Sequence, residues 1–315
     1  MLERLVGMFS FCIFDIKNQL ALLARDRFGQ KPLFFSLQKD SLIFSSEIKA
    51  ILSAGLQPTP NLKVIGRYLK EASYDDDDET FFSGINQILP GEYAIYSKNN
   101  LLSKKKYYSL ENQIFEYNGD FISASQKVRK SMLESINLHM RSDVPVGISL
   151  SGGLDSSVLL SCIKNTGNLT DSTKCFSVEF GDEFSEAKWI NKSASFHKIN
   201  NYIHSFTKEN FIDSIYPSMW HLEAPIGGLM NCALTIVNKA ARELNIPVLQ
   251  DGTGIDEAFG GYRNHQNIYL ANLIKSKHPS AYTELEKYAQ HWNIKKNEAH
   301  KIINEQLNKE VTAID

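Results

Sequence analysis

An α/β fold, a doubly wound parallel sheet preceded by a β-rich half, is what this 315-residue chain predicts. Three observations carry that expectation. Up to about residue 110, short apolar runs alternate with turn residues, as in antiparallel sheets. From residue 121 onward, apolar strands alternate with stretches of helical period, as in a parallel sheet with helices on both faces. Two glycine-rich turns, beginning at Ser151 and at Asp251, each follow an apolar strand, where open α/β sheets place their ligands.

Taken in order, residues 8–15 and 19–25 read as two strands around a Lys17-Asn18 turn. Residues 32–37 and 41–45 form a second pair, turned at Lys39-Asp40. A short helix spans 47–53, before the breaker Gly55 to Pro60. Residues 93–97 and 104–109 pair around Lys98-Asn99-Asn100. The acidic run from Asp75 to Glu79 reads as a solvated loop, because consecutive carboxylates repel and cannot all face one ion. Residues 111–120 are polar and aperiodic and serve as a linker. Residues 121–140 carry a helical stripe of Val128, Met132, Leu133, Ile136 and Met140. Strands follow at 144–150, 174–180, 201–205 and 247–249. Helices follow from 158, at 185–196, 208–219 and 232–243, and residues 275–315 are helical and charged.

Composition narrows the function classes. Apolar residues make up 43% and charged residues 22%, ordinary for a globular protein with a sizeable core. A net charge of −2 gives no footprint for nucleic acid. Cys12, Cys162, Cys175 and Cys232 show no Cys-x-x-Cys spacing, which argues against a zinc site or a disulfide framework and fits a reducing cytoplasm. No signal peptide and no run long enough to span a bilayer is evident.

The run Ser151-Gly152-Gly153-Leu154-Asp155-Ser156-Ser157 is the sharpest motif. A helix N-terminus presents free N–H groups and partial positive charge. Two glycines let the backbone approach a phosphate, three serines add hydroxyl donors, and Asp155 is suited to a Mg²⁺ that bridges phosphate oxygens. The plainer alternative is a surface loop with Asp155 as a helix cap. No Gly-Lys-Ser/Thr ends the run and no Gly-x-Gly-x-x-Gly is present, so it is neither a Walker A loop nor a dinucleotide fingerprint.

This run resembles the pyrophosphate loop of the ATP pyrophosphatases, which cleave ATP between the α- and β-phosphates. The run Asp251-Gly252-Thr253-Gly254-Ile255-Asp256-Glu257-Ala258-Phe259-Gly260-Gly261-Tyr262 is similar to the second signature of glutamine-dependent asparagine synthetases. Gly7 to Phe11, Ala24 to Leu33, Phe44 to Ala50 and Leu89 to Tyr93 resemble the later part of that family's glutaminase domain. The resemblance implies a partial glutaminase domain over 1–110, a linker over 111–120 and an ATP-binding synthetase domain over 121–315 that stops short of the family's C-terminal part.

The resemblance also implies an ATP-dependent amidoligase. It activates a carboxylate, aspartate or a related acid, as an acyl-adenylate and amidates it with ammonia from glutamine. ATP would contact Leu150, Ser151, Gly152, Gly153, Asp155, Ser156, Ser157, Val178, Asp251 and Gly252. Asp155 and Asp256 would hold Mg²⁺; the plainer alternative for Asp256 is a cap on a short helix. Glu223, Gly227 and Gly228 lie where the family binds its acceptor, and a plain turn before a helix weighs the same. Thr253 stands where many asparagine synthetases carry Glu or Asp; threonine is no base near neutral pH, which points away from aspartate. The Gly-Gly pair looks more like the branch that amidates sugar carboxylates in surface-polysaccharide synthesis.

The family's glutaminase nucleophile is an N-terminal cysteine. Residue 2 is Leu, and Cys12 sits inside a mid-domain strand, so no nucleophile is assigned. The family's basic segment, which contributes a lysine to the phosphates, has no match in 275–315. An internal piece of a longer enzyme, or a shortened product with open sheet edges prone to aggregate, is expected. Partners are then small molecules (ATP, a carboxylic acid, glutamine or ammonia), with no nucleic acid or membrane, a cytoplasmic location and a homodimer for the complete enzyme. Two other readings stay open: a non-catalytic nucleotide-binding remnant, and a different ATP pyrophosphatase such as a tRNA-thiolating enzyme. The latter calls for a basic face or a catalytic cysteine pair, and the sequence displays neither.

Overall fold

The computed structural model describes residues 1–312 apart from 40, 74, 98–99 and 182–184. The turns expected at Lys39-Asp40 and Lys98-Asn99-Asn100 therefore lie at least partly outside the described residues.

Alternation of apolar and polar residues builds two antiparallel sheets first. Strands β1 (Ser10–Asp15) and β2 (Leu20–Arg25) pair from Ser10↔Arg25 to Asp15↔Leu20. The turn between them forms at Lys17-Asn18, where the Asn18 amide donates to Asp15 Oδ1 at 3.0 Å. Strands β3 (Phe34–Gln38) and β4 (Ser41–Ser45) also pair as expected, and β3 is flanked on its other side by β5 (Asn86–Gln87). Strand β6 (Glu92–Ser97) joins β2 to β7 (Asn100–Lys106), giving the order β1-β2-β6-β7. Leu23, Ala94 and Tyr96 of that sheet share one core with Leu33, Phe35 and Ile88. The last pair differs from expectation. β7 ends at Lys106, because Tyr107 and Tyr108 turn their amides onto the Gly91 carbonyl and the Tyr107 hydroxyl donates to Arg25 O.

Helix α1 (Ile48–Ser53) follows β4, and helix α2 (Leu62–Glu71) was not foreseen. Its start signal is Asn61, whose side chain accepts from the Lys63 and Val64 amides. The acidic run departs from a solvated loop as well. Asp77 pairs with Arg67 at 2.7 Å, Asp78 with Lys104 at 2.7 Å, and Glu79 with Lys63, so cations on α2 and β7 neutralise it.

After residues 111–120, Asp120 caps helix α3 (Phe121–His139) through the Ser123 amide at 2.7 Å. Its apolar stripe is only partly used: Ile136 and Met140 pack on the core, while Val128 is 41% exposed. Four strands then form a parallel sheet: β8 (Val146–Ser149), β9 (Lys174–Glu179), β10 (Asn200–Ser205) and β11 (Val248–Gln250), in the order β10-β9-β8-β11. Side chains of successive strand residues face opposite ways. Cys175 and Ile148 therefore pack with α4 (Leu154–Asn165) and α5 (Ala187–His197), while Phe176 packs against α7 (Leu229–Glu243). The sheet is doubly wound, as the alternation predicts.

Helices α6 (Lys208–Leu222) and α7 form an antiparallel hairpin, tied by Ser218 Oγ and Thr235 Oγ1 at 2.8 Å. Beyond β11, the short α8 (Ile255–Phe259) leads to α9 (Arg263–Lys275), α10 (Ala281–His291) and α11 (Lys296–Thr312). The last three close around Leu270, Leu285, Tyr288 and Ile303. Among the described residues no helix is long and apolar enough to cross a membrane.

Candidate active site

Chain order sets where the crevice lies. The sheet grows from β8 to β9 to β10 on one side, and β11 returns to the other side of β8. The carboxyl ends of β8 and β11 thus flank the point where strand order reverses, where such sheets bind ligands. Both glycine-rich motifs start there, with Gln250 in register with Ile148.

The first motif is tightly organised. Ser151 Oγ and Ser156 Oγ lie 3.0 Å apart, the Ser151 amide donates to Ser156 Oγ at 3.2 Å, and the Gly153 amide donates to Ser151 Oγ at 3.3 Å. Ser157 Oγ donates to Gly153 O at 2.9 Å. The serine hydroxyls expected to face an anion are therefore engaged inside the loop, holding its shape. Gly153 provides no side-chain cap, so the backbone N–H groups of the first α4 turn carry the partial positive charge of a helix N-terminus without one. Gly152 is required by crowding: a Cβ there would meet the Glu186 Cβ at 2.8 Å and its carbonyl oxygen at 3.0 Å.

The second motif lies against the first. A Cβ on Gly252 would stand 3.0 Å from Asp155 Cβ and 3.1 Å from the Ser156 amide. Asp251 Oδ1 accepts from the Thr253 amide at 2.9 Å, and Gly254 takes φ +96°, a left-handed conformation that glycine adopts without strain. Behind α8, Gly261 leaves room that any Cβ would take from the Asp256 carboxylate.

This apposition gathers charge. Burial, then the neighbouring Asp256 and Glu257 carboxylates, hold Asp155 above the ordinary aspartate range. Glu257 is drawn the other way, by its own backbone amide and by the Tyr262 hydroxyl, which donates to it at 3.0 Å. No cluster of three His, Cys, Asp or Glu among the described residues is arranged to hold a metal. A hard cation binding between Asp155 and Asp256 would take its remaining oxygens from phosphate and water, as Mg²⁺ does.

The other sequence-predicted residues separate. Val178, the penultimate residue of β9, is half-buried beside the α7-side core. Leu150 is 1% exposed in the α4-side core, its amide donates to Phe176 O, and its carbonyl accepts from Ser177 Oγ. These two bonds to β9 anchor the base of the loop. Gly227 and Gly228 form the entry to α7, where Asn231 Oδ1 accepts from the Gly227 amide at 3.0 Å. The Glu223 carboxylate is taken up by α1, where Oε2 accepts from the Ile48 amide and Oε1 from the Lys49 amide, each at 2.6 Å. Cys12 lines a separate cavity of about 470 Å³ with Phe14 and Tyr96, and burial pushes its thiol up, the reverse of what a nucleophile needs.

Sequence reasoning missed a cavity of about 580 Å³ lined by Asp251, Thr253, Ser135 and His139 on one side and by Met8, Gln30 and Lys31 of the β-rich part on the other. No local pattern signals it, because its walls come from five separate stretches of chain.

An asparagine synthase family model matches residues 127–315, and a glutamine amidotransferase domain model matches residues 1–108. The amidase chyE of Penicillium rubens is 30% identical over 288 residues, 87% of this chain and 42% of that protein. A putative glutamine-hydrolysing asparagine synthetase 2 of Methanocaldococcus jannaschii is 31% identical over 284 residues, 85% of this chain and 52% of that protein. Glutamine-hydrolysing asparagine synthetase 1 of Bacillus subtilis is 30% identical over 272 residues, 86% of this chain and 41% of that protein. The chain thus spans roughly half or less of the length of the curated relatives it matches.

Proposed function

The chain belongs to the asparagine synthase family, and from that premise we propose that it carries the adenylating site of an ATP-dependent amidoligase. The observation that supports this reading most is the seating of Gly252 on Asp155 and Ser156, which joins both motifs at one crevice.

In the proposed reaction, an oxygen of the acceptor carboxylate attacks the α-phosphorus of ATP. The bond to the bridging oxygen breaks, and pyrophosphate departs with its electron pair. Ammonia then adds to the acyl carbon, and AMP leaves. The N–H groups of the first α4 turn bind the departing phosphates, in the manner of donors aimed where charge develops. Gly152 and Gly153 bring that backbone close, while Ser151, Ser156 and Ser157 keep it in shape. Asp155 and Asp256 are the residues that would hold Mg²⁺; the ion supplies charge neutralisation of pyrophosphate. The raised Asp155 fits this role, since a cation relieves the carboxylate repulsion there. Val178, Asp251 and Gly252 border the nucleoside end.

Aspartate or a related acid is the proposed acceptor, with the Gly227-Gly228 entry to α7 on its side of the crevice. A second reading, amidation of a sugar carboxylate, is favoured by Thr253, an exposed hydroxyl at the 580 Å³ cavity where a carboxylate base would otherwise stand. ATP–pyrophosphate exchange by the complete enzyme, against a panel of amino-acid and sugar carboxylates, tests both. Exchange with one acceptor class identifies it. Nucleotide binding without exchange for any carboxylate would instead make the site a non-catalytic remnant.

A further inference from the structure

The α6–α7 hairpin reaches the β-rich part through its tip. Glu223 sits just past α6 in a left-handed conformation (φ +56°), and its side chain is 9% exposed. That geometry turns its carboxylate onto the first turn of α1, 175 residues away in sequence. Helix α1 has no cap of its own, since Glu47 makes no capping hydrogen bond. The Ile48 and Lys49 amides, which no intrahelical carbonyl can reach, are instead satisfied by the two oxygens of Glu223. Lys49 Nζ adds an ion pair to Glu223 Oε1 at 3.1 Å and donates to Trp220 O at 3.4 Å. Three residues on, Ile226 O accepts from the Tyr68 hydroxyl of α2 at 3.0 Å. The next residues are Gly227 and Gly228.

We infer that Glu223 is an inter-domain clasp, a positioning residue that caps α1 in trans and thereby couples the seating of the β-rich part to the placement of the 223–228 segment. A carboxylate suits this task better than an amide, since it offers one charged acceptor to each of two N–H groups. The clasp stands on geometry alone; only its catalytic consequence rests on the amidoligase reading.

Amide hydrogen exchange on the 315-residue chain reads it directly. The first-turn amides of α1 exchange rapidly unless something outside the helix accepts from them. Glu223→Ala is expected to speed exchange at both Ile48 and Lys49 by about tenfold or more, with the α4 and β8 amides unchanged. Glu223→Gln, which keeps the size and one carbonyl oxygen, is expected to release one of the two and serves if the alanine variant does not fold. Unchanged protection at Ile48 and Lys49 in a folded variant overturns the clasp.

In the complete enzyme the same substitutions are expected to depress glutamine-driven amidation more than amidation driven by added ammonia. Equal losses with both α1 amides still protected would return Glu223 to acceptor binding and also overturn the proposal. Should the unsubstituted enzyme show no ATP–pyrophosphate exchange, the functional reading fails while the amide readout still decides the clasp.

Discussion

The two loops at the crevice are built on opposite principles. The one after β8 satisfies its serine hydroxyls internally and feeds a 12-residue helix with no side-chain cap. The one after β11 relies on an Asx turn at Asp251, left-handed glycines at 254 and 260, and a helix of only five residues. In the proposed reading, the first receives a constant group, the phosphates. The second borders a cavity shared with the β-rich part, and the proposed reading gives it the group that varies, the acceptor. One crevice thereby combines a fixed half with a tunable half.

Substitutions can break or sharpen that contrast. The largest effect is expected at the fixed half. Asp155→Ala should lower Mg²⁺-dependent pyrophosphate release by the complete enzyme by about a thousandfold, some 4 kcal/mol of transition-state stabilisation. Near-normal release would remove Asp155 from the chemistry. Next comes the contact between the halves. Gly252→Ala would press a methyl onto Asp155 Cβ and the Ser156 amide. ATP–pyrophosphate exchange should fall by about a hundredfold, because small displacements of positioned groups cost rates of that order. Exchange within a factor of two of the parent would show that the loops need not touch.

Smaller effects belong to the tunable half. Thr253→Glu should change the ranking of carboxylates in the exchange assay by about tenfold while leaving the KM for ATP within a factor of three. A uniform loss across all acceptors and ATP would contradict the division of labour. Gly254→Ala should cost about 1 kcal/mol by forcing an alanine to φ +96°, read as a lower denaturant midpoint.

The smallest effect is electrostatic. Because Asp155 titrates above its unfolded value of about 3.9, the folded protein holds that proton more tightly. The stability this contributes is complete below the unfolded value and is lost as pH rises through the raised folded value. Asp155→Asn should therefore raise the Tm of the ligand-free protein slightly at neutral pH, and not below pH 3.9. A lower Tm at neutral pH would show that the carboxylate cluster is not under repulsion.

Much of this molecule is legible from local pattern. The strand–turn–helix around Ser151 to Ser157 is readable because β8 is a buried apolar run, two glycines follow, and α4 restores a helical period. The antiparallel β1–β2 pair is readable from its turn, and Cys12 is readable as a non-nucleophile from its place in a strand. Other features left weak traces. Asn61 signals α2 only if the capping role of asparagine outweighs the preceding breaker. The acidic run from Asp75 to Glu79 looks solvated until Arg67, Lys63 and Lys104 arrive from other elements.

By itself the sequence determined most of the elements, the doubly wound class and the two glycine-rich turns, since period, turn chemistry and capping act over a few residues. Only the tertiary structure decided that β11 returns beside β8, that Gly252 rests on Asp155, that Leu150 is buried, and that Glu223 caps a helix 175 residues away. The physical reason is range. A hydrogen-bonding or apolar group finds a distant partner only once every intervening element has packed, and no short stretch of sequence records that outcome.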